Sequence, residues 1–136
     1  RQGGQNTPTF AWGDADASPG KANYGATANA HAVKVGSYPA NSLGIYDMAG
    51  NIRHFCADRW RPDMYAKAAQ FAKNRRPPMF LTLMTPAQLK TVSIRGASWN
   101  DPAEKLRVTY RDGWPINKCA ASVGFRCAAN GLNSRR

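Results

Sequence analysis

Hydrophobic positions in this chain fall in short, interrupted groups, each with its own period. The clearest is RPDMYAKAAQFAKNRR, in which Met64, Ala68, Phe71 and Ala72 share one helical face and Pro62 suits a first-turn position. The spacing predicts a helix there, ended by Pro77-Pro78. Elsewhere the pattern favours short strands: Val33 to Val35, MFLTLM, TVSIRGASW broken at Gly96, KLRVTYRDGW ending at Gly113, and ASVGFRCAA. TPAQLK adds a turn of helix, and Asp47 to Asn51 reads as a compact turn after Pro39 and Gly44. The first 21 residues are rich in Gly, Pro, Asn and Asp and read as irregular loop anchored by Phe10 and Trp12.

Length and composition narrow this picture. A chain of 136 residues holds one modest core and not two. Leu, Ile, Val and Phe are scarce beside Ala, Gly, Asn and Pro, so the pattern predicts a loop-rich fold with a thin core. No apolar run approaches the roughly 20 residues of a membrane-spanning helix. The formal charge of +11, from 19 Lys and Arg against eight acids, favours acidic partners, including acidic ligands or glycans. The basic residues are dispersed, with pairs only at Arg75-Arg76 and Arg135-Arg136, and no nucleic-acid-binding signature accompanies them. Sequence-specific nucleic-acid binding is therefore not expected.

Cys56, Cys119 and Cys127 lack both CxxC spacing and the density of a disulfide scaffold. With only His31 and His54 in the chain, a histidine-rich metal centre cannot be assembled from it alone.

Three blocks occur in order: VGSYPANSLGIYDMAGNI, IRGASWNDPAEKLRVTYRDG and VGFRCA. In this order, with the opening GG…FAWGD, they resemble the formylglycine-generating enzyme (sulfatase-modifying factor) family. The resemblance implies an α+β, loop-rich C-type lectin-like fold with short antiparallel strands and few helices. It spans nearly all of residues 1–136 but matches only about the C-terminal half of the family's domain. The expectation is a single partial domain whose other half is missing or comes from a companion chain. Residues 62–90 depart most from the family pattern and read as an insertion.

The same resemblance bears on chemistry. The family's oxygenases bind copper through two thiolates, soft ligands suited to Cu(I), the first a few residues after the pair that here is Ser98-Trp99. This chain has Asn100 and Asp101 there and no cysteine between Cys56 and Cys119. The sulfatase-activating reaction is therefore disfavoured, and Cys56 and Cys127 are read as structural. Relatives that act as binding proteins use the stretch after the RG.SW block as a contact surface. The corresponding candidates are Trp99, Asn100, Asp101, Arg107, Tyr110, Arg111, Asp112 and Trp114, of types that dominate binding hot spots. The competing reading gives Trp99 and Tyr110 to the fold, leaving Asn100, Arg107 and Trp114 as the better exposed contacts.

No cofactor is expected, although calcium stays possible. Family calcium sites would map to Asp47, Gly50 and Ile52, and to Asn23 and Tyr24. His54 replaces a glutamate at the first, and imidazole nitrogen is a poor substitute for a hard oxygen ligand. Arg53, in place of a tryptophan, would bring a positive charge near where a cation would sit. The leading expectation is a non-catalytic binding or interaction module with a basic surface for an acidic partner, a companion chain or a larger assembly. Its rival is an enzyme of oxidase or sulfur-transfer type whose active groups lie on a missing half or a neighbouring domain. A third reading is a structural subunit that docks through the helix at 62–73.

Overall fold

The computed structural model describes residues 7–25, 27, 29–73 and 90–127. Its centre is a four-stranded sheet with β1 at Arg53–Arg59, β2 at Thr91–Arg95, β3 at Asp112–Pro115 and β4 at Val123–Gly124, in the order β3-β2-β1-β4. β2 pairs antiparallel with both β1 and β3, but β4 runs parallel to β1. The sheet is therefore mixed, not wholly antiparallel. Helix α1, Met64–Lys73, follows β1, and a 3-10 turn at Ala103–Leu106 precedes β3.

Helix α1 forms where the periodicity placed it, with Met64 and Ala68 half-buried. β2 ends where Gly96 interrupts the run. Three other expectations change. Val33 to Val35 is not a strand, because the Val33 N–H and carbonyl are both taken by the Asn51 side-chain amide, at 2.8 and 3.1 Å, leaving nothing for a neighbouring strand. KLRVTYRDGW is not one strand: the 3-10 turn buries Leu106, the chain turns again, and β3 begins at Asp112, near where the expected strand was to end. ASVGFRCAA contributes only the two residues of β4. Pro77-Pro78, MFLTLM, most of the turn at 85–90, and the side chains of Phe71 and Ala72 lie outside the described residues.

A strand that the pattern did not predict, β1, occupies the middle of the sheet. In its sequence RHFCADR the half-buried positions include Arg53, His54 and Asp58, where an ordinary strand places apolar side chains. The register pairs Phe55 with Ile94 and Arg59 with Val92, four residues against two, so β1 carries a bulge.

The apolar core lies beside the sheet and is thin. Phe10, Ala22, Tyr24, Ala49, Ala97 and Leu106 form it, and Trp12 stacks on Phe10 with ring centroids 5.1 Å apart. Asn51, buried and with φ of 67°, is its polar counterpart. Its N–H donates to the Asn23 carbonyl at 2.7 Å, its carbonyl accepts from Trp99 N–H at 3.0 Å, and its side chain holds Val33. Gly50, with φ of 81°, is required here, since a Cβ would sit 2.5 Å from the Asn23 oxygen.

Candidate functional site

Strand alternation sends neighbouring residues of β1 and β2 to opposite faces. One face carries Arg53, Ile94 and Trp114, and on it Arg53 forms a two-pronged ion pair with Asp101. Asp101 is only 2% exposed. Its carboxylate also accepts from the Ser98 N–H at 2.8 Å, the Ser98 hydroxyl at 2.6 Å and the Lys105 ammonium at 3.3 Å. Burial alone would raise the Asp101 pKa, but the hydrogen bonds from Arg53 and Ser98 and the charges of Arg53 and Lys105 outweigh it and hold the carboxyl below its ordinary value. Arg53 lies 5.9 Å from the Trp114 ring centre and Lys105 lies 5.6 Å from that of Tyr110, whose hydroxyl reaches Asp112 at 3.3 Å.

The other face carries a second pair. Arg111 reaches Asp58 and also donates to the Ser93 hydroxyl at 2.6 Å, while Ser93 donates to Asp58 at 2.8 Å. The guanidinium sits 5.3 Å from the Trp60 ring centre and 5.7 Å from that of Tyr65. Cation–π contact of this kind supplements the ion pair. Gly113 makes room for Trp60, because a Cβ there would lie 2.5 Å from the indole.

Of the predicted contact residues, Asp101, Tyr110, Asp112 and Trp114 gather around Arg53, and Asn100 and Arg107 are exposed. The Asp101 side chain, however, faces inward and holds its loop, and Arg111 lies on the opposite face with a side chain 4% exposed. Trp99 is half-buried, and its indole N–H is the one buried side-chain polar atom among the described residues without a hydrogen-bond partner. Lys105, Asp58, Ser93, Trp60 and Tyr65 were not among the candidates. Nothing in their spacing marks them, because the contacts join β1, β2, β3 and α1, far apart in sequence.

Four of the five expected calcium ligands accept a hydrogen bond within the chain. The Asp47 carboxylate accepts from the Gly36 N–H at 2.7 Å, the Gly50 carbonyl from Ile52 at 2.9 Å, the Asn23 carbonyl from Asn51, and the Tyr24 carbonyl from Thr27. Calcium needs six to eight oxygens and usually several carboxylates. Among the described residues no three His, Cys, Asp or Glu side chains come close enough to hold a metal ion. Arg53 sets its charge against Asp101. His54 is half-buried opposite Arg95; burial, and then the nearby Arg126 charge, push its pKa below 6.5 against the opposing pull of Asp47. The three cysteines form no disulfide.

The chain matches the model of the sulfatase-modifying factor enzyme 1-like domain over residues 1–131. It is 34% identical over 94 residues to a serine/threonine-protein kinase, pkn1, of Chlamydia pneumoniae, covering 69% of this chain and 14% of that protein. It is 30% identical over 104 residues to the formylglycine-generating enzyme of Thermomonospora curvata, covering 72% of this chain and 31% of that enzyme. Identity to the inactive C-alpha-formylglycine-generating enzyme 2 of Mus musculus is 29% over 97 residues, covering 68% of this chain and 24% of that protein. Among solved structures, PvdO from Pseudomonas aeruginosa superposes with a TM-score of 0.64 at 28% identity, over 88% of this chain and 42% of that one. The chain thus spans between about a seventh and a third of the curated relatives it matches. It belongs to the family of sulfatase-modifying factor enzyme 1-like domains.

Proposed function

We propose that this chain is a non-catalytic binding or interaction module on a C-type lectin-like framework, with a basic surface for an acidic partner and with the loop after Trp99 carrying its specificity. The observation that carries this reading is Asp101. It stands after Ser98-Trp99, where the family resemblance expects a copper-binding thiolate, and its carboxylate is buried beneath Arg53, Lys105 and Ser98. A group with every oxygen committed to the fold serves architecture better than chemistry. An inactive relative in the mouse is consistent with a family scaffold that can stand without the reaction.

The test is direct. Purified protein supplied with copper and a CxPxR peptide is expected to leave the peptide cysteine unchanged by mass spectrometry; conversion to formylglycine overturns the reading. Calcium is expected to leave the melting temperature unchanged, because most of the oxygens that would hold it already accept hydrogen bonds within the chain.

A second reading, an oxidase or sulfur-transfer enzyme completed by residues elsewhere, is favoured by the small share of its relatives that this chain spans. A histidine-rich iron motif encoded beside this segment would favour it.

A further inference from the structure

On the Arg53 face the nearby charges balance, Arg53 and Lys105 against Asp101 and Asp112. On the opposite face Asp58 is taken by Arg111, and Asp63 by Arg61 and Lys67. Arg95 lies on that face too and has no carboxylate partner among the described residues. Its guanidinium donates instead to two neutral acceptors, the Val108 carbonyl and the Tyr65 hydroxyl, each at 3.1 Å. Tyr65 is itself held, donating to the Thr109 carbonyl at 2.5 Å, yet is 44% exposed. The exposed Arg107 is the neighbour of Val108 in the chain.

We infer that Arg95, Tyr65 and Arg107 form a docking site for an acidic segment of a partner protein. The inference rests on the interaction-module reading and names its partner class and place. The Arg95 guanidinium beside a fixed tyrosine, with the exposed Arg107 next in the chain to the Val108 carbonyl that holds it, offers positive charge for one or two carboxylates, which arginine binds through paired N–H donors. The site is preorganised, so little ordering cost falls on binding. Arginine and tyrosine are also the residue types that anchor interfaces. Two arginines and a tyrosine are too few to follow a continuous phosphate backbone, which needs an unbroken basic track.

A fluorescein-labelled peptide rich in Glu and Asp, titrated by fluorescence anisotropy, reads this out. Arg107→Gln and Arg95→Gln are each expected to weaken peptide binding about tenfold, equivalent to about 1.4 kcal/mol. Lys21→Gln, in the hollow beside Trp12 and Tyr38, is expected to change it less than about twofold, a nonspecific contribution of the size seen for exposed charges. Arg107 is exposed and its side chain supports nothing described, so its substitution tests the site even if Arg95→Gln melts early. Unchanged binding in Arg107→Gln, or an equal loss in Lys21→Gln, overturns the inference. So does tighter binding of poly-uridine RNA or phosphatidylserine vesicles than of the peptide. If the peptide fails to bind while the copper assay stays negative, the docking site is wrong and the non-catalytic reading stands. If formylglycine forms while peptide binding depends on Arg107, the reverse holds.

Discussion

The two faces of the sheet each carry an arginine–aspartate pair backed by aromatic rings, but they bury opposite partners. At Arg53–Asp101 the acid is 3% exposed and the arginine 15%; at Arg111–Asp58 the arginine is 4% exposed and the acid 28%. The buried member fixes what each pair does. Asp101 collects donors from Arg53, Lys105 and Ser98 and so folds the loop over residues 98–105. Arg111 is enclosed between Trp60 and Tyr65 and so fastens α1 to the sheet. Removing either acid strands its donors, and the cost grows with the number of donors left without another partner.

The largest expected effect is on the first pair. Asp101→Ala removes the acceptor for all of those donors and is expected to destabilise by about 3–5 kcal/mol in urea unfolding. A loss below that of Asp58→Ala would break the comparison. Asp58→Ala strands Arg111, but the guanidinium keeps Ser93 and two rings, so about 2 kcal/mol is expected by the same measurement. Gly113→Ala presses a methyl group into Trp60 and is expected to cost about 1–3 kcal/mol, with Trp60 fluorescence changed.

The smallest effect separates the faces by pH. The folded pKa of His54 is depressed, so the unfolded chain binds the proton more readily. Its contribution to stability is complete above pH 6.5 and is lost as pH falls through the folded value. Asp101 is depressed too, so its contribution is complete above 3.8 and is lost at still lower pH. Melting temperature against pH is therefore expected to fall in two stages. His54→Gln is expected to abolish the upper stage and leave the lower one; an upper stage that persists would assign it to another group.

What the sequence could convey follows from the same contrast. Helix α1 and β2 were legible because their burial is apolar or small and follows a period. β1 was not, because its half-buried positions in RHFCADR are mostly polar, with Arg53 and Asp58 held in ion pairs, and such a strand leaves no hydrophobic alternation. The family was legible from blocks whose glycines and asparagines hold tight turns, Gly50 and Asn51 foremost. The candidate surface was legible in part: Tyr110, Asp112 and Trp114 converge, yet no spacing marks Arg53, the residue they gather around. Its partner, 48 positions away, is chosen by the fold and not by spacing.

Asn51 has one more consequence, for how such a chain can change. By itself it ties together segments at Asn23, Val33 and Trp99, 28, 18 and 48 positions away. Closing a flexible loop costs free energy that grows only with the logarithm of its length, about 0.6 kcal/mol per doubling. Stretches fastened at one knot can therefore lengthen, shorten or be exchanged while the knot and the sheet stay as they are. Variation is cheap between the tied points and expensive at Asn51 itself, so diversity in this protein is expected to accumulate in its loops.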